Sequence, residues 1–211
     1  NIGRPLVELM PPGVLGEIVV ESRKLLRDHP VNRKRRAAGK HTADALWPWG
    51  QGRAVTLPSL EERFHARGSL VSAVDLIRGI GVLAGFRILR VDGITGLNDT
   101  NYAGKAEAAI AALKLGDDIV VIHVEAPDEA GHAGDAHEKV DTIENIDREI
   151  VGRLVREIPD LAILAAPDHP TFLDTRLHGS EPVPYLLADL ARPAKGPEGF
   201  AEKFAGGPIV D

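Results

Sequence analysis

Two short aliphatic runs, Asp118–Val124 and Leu161–Ala166, bracket a long stretch whose apolar residues recur at helical spacing. The first run, Asp-Ile-Val-Val-Ile-His-Val, is rich in β-branched residues, the mark of a strand buried on both faces. The second reads as another buried strand. Between them, Ala136–Ile158 carries Val140, Ile143, Ile146, Ile150, Val151, Leu154, Val155 and Ile158, which predicts a long amphipathic helix. Asp135, with Glu138 three residues on, supplies an N-cap for it. Strand and helix alternating at this spacing suit right-handed crossovers. The fold class is therefore α/β, with a mainly parallel sheet flanked by helices.

Pro12–Asp28, Ser72–Ala84, Ala103–Leu115 and Pro182–Leu190 read as helices, and Phe86–Val91 as a strand entering the turn Asp92-Gly93. Asp28–Thr42 holds the basic cluster Asn32-Arg33-Lys34-Arg35-Arg36, read as a solvated loop or, alternatively, a phosphate-attracting rim. Ala45–Gly52 carries both tryptophans and reads as a short strand entering a Gly-rich turn, with packing favoured over a ligand platform. The tail Ala191–Asp211 is rich in Gly and Pro and is expected to lie along the surface.

Composition removes several classes of function. With 25 Lys and Arg against 31 Asp and Glu the net charge is −6, a poor match to a nucleic-acid backbone. No apolar run approaches the roughly 20 residues that span a bilayer. The absence of cysteine excludes disulfides, thiolate metal sites and a Cys nucleophile. Asn1-Ile2-Gly3-Arg4-Pro5 has no apolar signal region, so the expected location is cytoplasmic. The missing initial Met hints at a trimmed segment.

The chemistry is expected where strands end, because open parallel sheets bind ligands beyond their carboxyl ends. After the first strand, Asp128 and His132 stand four apart, so a helical turn would aim both at one ion. Gly131 and Gly134 would let backbone approach a ligand. After the second strand come Asp168 and His169, and His178 follows. In extended geometry Asp168 and His169 would point to opposite sides and could serve two ions. Carboxylate and imidazole donors suit manganese, zinc or magnesium. His123 reads as a satisfied core residue and His137 as solvated. Lys105 reads as an ordinary helix residue, with a phosphate contact as the alternative. None of the five serines, Ser22, Ser59, Ser69, Ser72 and Ser180, follows a strand in a nucleophile-like setting.

The string Asp128-Glu129-Ala130-Gly131-His132-Ala133-Gly134 resembles the Asp-x-x-Gly-His-x-Gly signature of the alkaline phosphatase superfamily. Further stretches are similar to the cofactor-independent phosphoglycerate mutases of the archaeal type. They include His29-Pro30-Val31-Asn32, Leu46 to Gly52, Ser72 to Gly81, Asp99 to Glu107, His123 to Asp128, Ala166 to Pro170, and Pro182 to Tyr185. The resemblance implies an alkaline phosphatase-like core, here incomplete. It also implies a di-metal enzyme that interconverts 3-phosphoglycerate and 2-phosphoglycerate through a phosphoserine. By that pattern Asp128, His132 and His178 hold one divalent ion, Asp168 and His169 help hold the second, and Arg78 contacts substrate. Residues 1–44 would be a remnant or the edge of an inserted domain with a linker, and 45–211 the C-terminal part of the phosphatase-like metal-binding domain. The family's nucleophilic serine has no counterpart, so this chain alone is expected to be inactive. A sheet edge left bare by that gap would favour self-association. A related phosphotransferase, acting on homoserine or a phosphonate, and a non-catalytic remnant are the alternative readings.

Overall fold

A computed structural model describes residues 5–48, 50 and 52–192, in two compact units divided between Val55 and Thr56. In the first unit a 3-10 turn, Leu6–Leu9, precedes helices α1 (Val14–Arg27) and α2 (Pro30–Ala37). The basic cluster thus lies on a helix, not in a loop. Pro30 starts α2, the His29 ring accepts from the Val31 amide, and Lys34, Arg35 and Arg36 fall in the last turn, where positive charge suits the helix dipole. Buried Asn32 ties the unit together, donating to the carbonyls of Leu26 and Ala43 at 2.7 Å each. Residues 45–48, 50 and 52 form no strand, and Trp49 and Gln51 lie outside the described residues.

The second unit runs α3 (Leu60–Phe64), β1 (Gly68–Val71), α4 (Asp75–Leu83), β2 (Arg87–Ile88), α5 (Tyr102–Lys114) and β3 (Ile119–Ile122). Then follow α6 (Ala126–Ala133), α7 (Ala136–Asn145), a π-helical segment (Ile146–Val151), α8 (Gly152–Glu157), β4 (Ala162–Ala165) and β5 (Leu186–Asp189). The three-stranded sheet has the order β2-β1-β3 and is wholly parallel, with Gly68 opposite Ile119 and Val71 opposite Ile122. β4 and β5 form a separate antiparallel pair. The α/β class and the parallel sheet flanked by helices are therefore as expected.

Several elements differ from expectation. β1 is the central, fully buried strand, yet Gly-Ser-Leu-Val carries too short a pattern to announce it. Pro182–Leu190 forms no helix. Pro182 and Pro184 hold the approach extended, and Leu186–Asp189 then pairs with β4, Leu186 opposite Ala165. β3 and β4 are not buried on both faces. Ile119 is 43% exposed and Leu164 is 68% exposed. The opposite face of β3 supplies Val120 and Ile122 to a core with α5 and the long helix, around Ala106, Ala109, Ile110, Ile150 and Leu154. β-branched composition thus marked the strand but not what covers it. Within the long helix, Ile146, Ile150, Leu154 and Ile158 repeat every four residues and all join this core. A regular helix would rotate them by about 40° per step, and the wider π-helical segment offsets that drift. The tail beyond Arg192 lies outside the described residues. No helix among the described residues is long and apolar enough to cross a membrane.

Candidate metal centre

β3 delivers the chain to α6, and α6 carries Asp128 and His132 one turn apart on the same side. The His132 Nδ1–H donates to the Arg176 carbonyl at 2.8 Å. A carbonyl can only accept, so in the neutral ring the lone pair is on Nε2. That Nε2 lies 3.3 Å from Asp128 Oδ2 and 2.9 Å from His178 Nε2. A hydrogen bond from the backbone that fixes the tautomer of one ring nitrogen is the usual support of a metal-ligating histidine.

His178 arrives by a tight return of the chain. Gly179 N–H donates to Pro170 O at 2.8 Å, Phe172 N–H donates to Leu177 O at 3.1 Å, and Thr171 and His178 form an isolated antiparallel bridge. The return stacks the rings of His169 and His178 with centroids 3.8 Å apart, and sets His178 Nε2 3.4 Å from Asp128 Oδ1. One donor atom each from Asp128, His169 and His178 lies within 4.8 Å of the others. Asp168 closes the arrangement from outside. Its Oδ2 is 3.3 Å from His169 Nε2, and its Oδ1 accepts from the His169 amide. β4 ends at Ala165, so Asp168 and His169 sit in a bend and the alternation of a strand no longer separates them.

The structure thus gathers Asp128, His132, Asp168, His169 and His178. It leaves Arg78 apart, on α4, paired with Asp75 at 3.1 Å and in none of these contacts. It adds Thr171, which nothing in the sequence singled out. The buried Thr171 hydroxyl donates to Asp128 Oδ1, so its oxygen is left to accept from His169 Nδ1–H at 3.3 Å. Lys139 Nζ, from α7, donates to the Thr171 carbonyl at 2.6 Å.

The two glycines of the motif serve the chain rather than a ligand. A Cβ on Gly131 would stand 2.8 Å from Thr171 Cγ2, so glycine lets α6 close on the segment that holds His169. Gly134 ends α6 with φ +73°.

A second polar group lies beside this one, at the carboxyl ends of β1 and β3. Ser72 follows β1 directly, and its Oγ is 3.1 Å from His123 Nδ1 while accepting from the Val74 amide at 3.0 Å. Ser72 therefore does follow a buried strand, contrary to the reading of the sequence, but it is only 1% exposed. His123 is satisfied, as expected, with Nε2 3.4 Å from Glu125 Oε2. Lys105 is no ordinary helix residue. It is fully buried, its Nζ donates to the His123 carbonyl at 3.0 Å, and burial lowers its pKa to about 8 against a partial opposing pull from Glu125.

The donor set fits a divalent cation. Imidazole and carboxylate lone pairs converge with the tautomer of His132 fixed from behind, and no Lys or Arg makes an ion pair with Asp128 among the described residues. Such donors beyond the carboxyl ends of strands place the chain among α/β metal-binding domains. It belongs to the Metalloenzyme superfamily, whose model matches residues 19–205. Membership implies divalent metal ions.

A 2,3-bisphosphoglycerate-independent phosphoglycerate mutase of Methanothrix thermoacetophila is 42% identical over 195 residues, covering 89% of this chain and 50% of that protein. A second, from Methanothermobacter thermautotrophicus, is 44% identical over 196 residues and is matched over 48% of its length. Among solved structures, a Pyrococcus horikoshii protein superposes with TM-score 0.74 at 31% identity, covering 87% of this chain and 47% of that one. The cofactor-independent phosphoglycerate mutase of Thermoplasma acidophilum superposes with TM-score 0.57 at 25% identity, covering 93% and 47%. The fold is the alkaline phosphatase-like arrangement, and the chain spans about half the length of the curated relatives it matches.

Proposed function

We propose that this chain is the metal-binding half of a phosphotransferase that interconverts 3-phosphoglycerate and 2-phosphoglycerate through a phosphoserine. The observation that carries the reading is the convergence of Asp128, His132, His169 and His178 within hydrogen-bonding or stacking distance. In this reading Asp128, His132 and His178 hold one divalent ion, and Asp168 and His169 help hold a second, manganese first with zinc or magnesium as alternatives. Bound there, the ions supply positive charge beside the oxygens of a phosphoryl group in transit. The chain's own residues do the positioning. Arg176 and Thr171 fix the rings of His132 and His169, and Arg78 is the candidate contact to an anionic substrate.

The transferring serine is not part of this cluster. Ser72 is too covered to attack a substrate, so the chain by itself is expected to lack mutase activity. Residues 1–44 are read as the edge of an inserted domain. The cytoplasm is the proposed location, nucleic acid is not a partner at this net charge, and the outer edge of β3 is the proposed surface of self-association.

The test is a mutase assay with manganese, on this chain and on a version extended with the N-terminal half of a matching relative. Activity only in the extended protein supports the reading. Activity in the chain alone would overturn the assignment of the serine, and absence of manganese uptake by the chain would overturn the metal centre.

A further inference from the structure

We propose that Lys105 is a positioning residue for the metal centre, acting through the point where β3 passes into α6. The inference rests on the metal reading of the Asp128 cluster. Lys105 sits on α5, outside that cluster, and it is the largest fully buried side chain among the described residues. An ammonium in such a place is unfavourable unless something requires it. Its hydrogen bond goes to the His123 carbonyl, the first residue beyond β3. The His123 amide in turn donates to Val71 O at 2.9 Å, extending the β1–β3 ladder by one step.

The ring of the same residue is held by Ser72 at Nδ1, and its Nε2 stands 3.4 Å from Glu125 Oε2. Ser72 Oγ, which also accepts from the Val74 amide, is hydrogen-bonded to Nδ1. Main chain and side chain of His123 are therefore both fixed. Glu125 is the N-cap residue of α6, and its carbonyl accepts from the amides of Asp128 and Glu129 at 2.9 and 3.2 Å. The side chain of Glu125 makes no cap bond, so the helix start is held from the strand side instead. Lys105 thus bonds the carbonyl of His123, two residues before Glu125, whose own carbonyl holds the amide of the candidate ligand Asp128, so hydrogen bonds and main chain run without a break from the core helix α5 to that ligand. Small displacements of a ligand-bearing helix are costly for a metal that needs several donors at fixed distances.

The role and the energetics pull in opposite directions, and that separates positioning from ordinary structural support. Lys105→Met keeps an unbranched side chain one atom shorter and removes a buried charge. The expected result is a protein with a melting temperature at or above that of the unaltered chain. It should bind cobalt(II) about tenfold more weakly by calorimetry and show a changed cobalt visible spectrum. Ser72→Ala, which frees one side of the His123 ring, should shift the spectrum in the same sense with a smaller loss of affinity, and it decides the matter if the Met variant does not fold. Asp128→Ala serves as the control for loss of the site. Wild-type cobalt affinity and spectrum in folded Lys105→Met, or in Ser72→Ala should the first not fold, would overturn the proposal alone. Failure of the unaltered chain to take up cobalt would overturn the metal reading first.

Discussion

The Asp128 cluster and the Lys105 cluster adjoin at the carboxyl ends of the strands and are built on opposite terms. Around Lys105 the hydrogen-bonding groups are paired, and Ser72 and Lys105 have almost no exposure, while His123 and Glu125 at the rim keep 24% and 27%. Around Asp128 the side chains stay partly open, 22% exposed for Asp128, 35% for His132 and 50% for His178. Two imidazole nitrogens face each other there at 2.9 Å, beside a carboxylate. A dry site must satisfy its own polar groups, because an unpaired one costs about 1–3 kcal/mol. A half-open site can leave lone pairs pointed at one place, and such a place suits a cation. The contrast separates residues that make a frame from residues that wait for a ligand.

The largest effect is expected from Asp128→Ala, which removes the carboxylate that meets His132 and His178 directly and His169 through Thr171. Divalent metal affinity should fall by about a hundredfold or more in calorimetry, and an unchanged affinity would erase the contrast. Next, Gly131→Val pushes carbon into Thr171 and should destabilise the chain by about 2 kcal/mol in urea unfolding, loosening the metal cluster while leaving the Lys105 group alone.

A third outcome concerns pH and belongs to the buried group. The folded pKa of Lys105 is about 8, against an ordinary 10.5, so between those values the unfolded chain holds a proton that the folded chain has released. Stability should therefore rise as pH goes from about 8 towards 10.5, with the penalty for the buried charge fully present below that interval. In Lys105→Met this part of the slope should vanish, and a slope that survives would place its origin elsewhere. The smallest effect is expected from Asp135→Ala, which removes the side-chain cap on the Glu138 amide. Thermal or urea unfolding should report a loss of about 1 kcal/mol, with metal affinity unaltered.

These experiments bear on groups that were unequally visible in the sequence. Asp128 and His132 were legible because a single helical turn fixes their relation, and a turn is local. Asp168 and His169 were legible as residues but not as geometry. The alternation of a strand was expected to part them, yet the strand stops at Ala165 and a bend brings them together. Thr171 carried no signal, and Lys105 read as an ordinary helix residue with a phosphate contact as the alternative. A threonine after a proline and a lysine in an Ala-rich helix are ordinary until the fold buries them.

The sequence by itself determined the alternation of strands and helices, the capped start of the long helix and the identity of the donors. Each of these depends on residues a few positions apart. Only the tertiary structure decided that Gly68–Val71 is the central strand, that Leu186–Asp189 pairs as a strand instead of coiling, and which faces stay uncovered. It also decided that a lysine on α5 reaches the end of β3, because burial and strand pairing are set by segments far apart along the chain, whose local preferences carry no record of their neighbours.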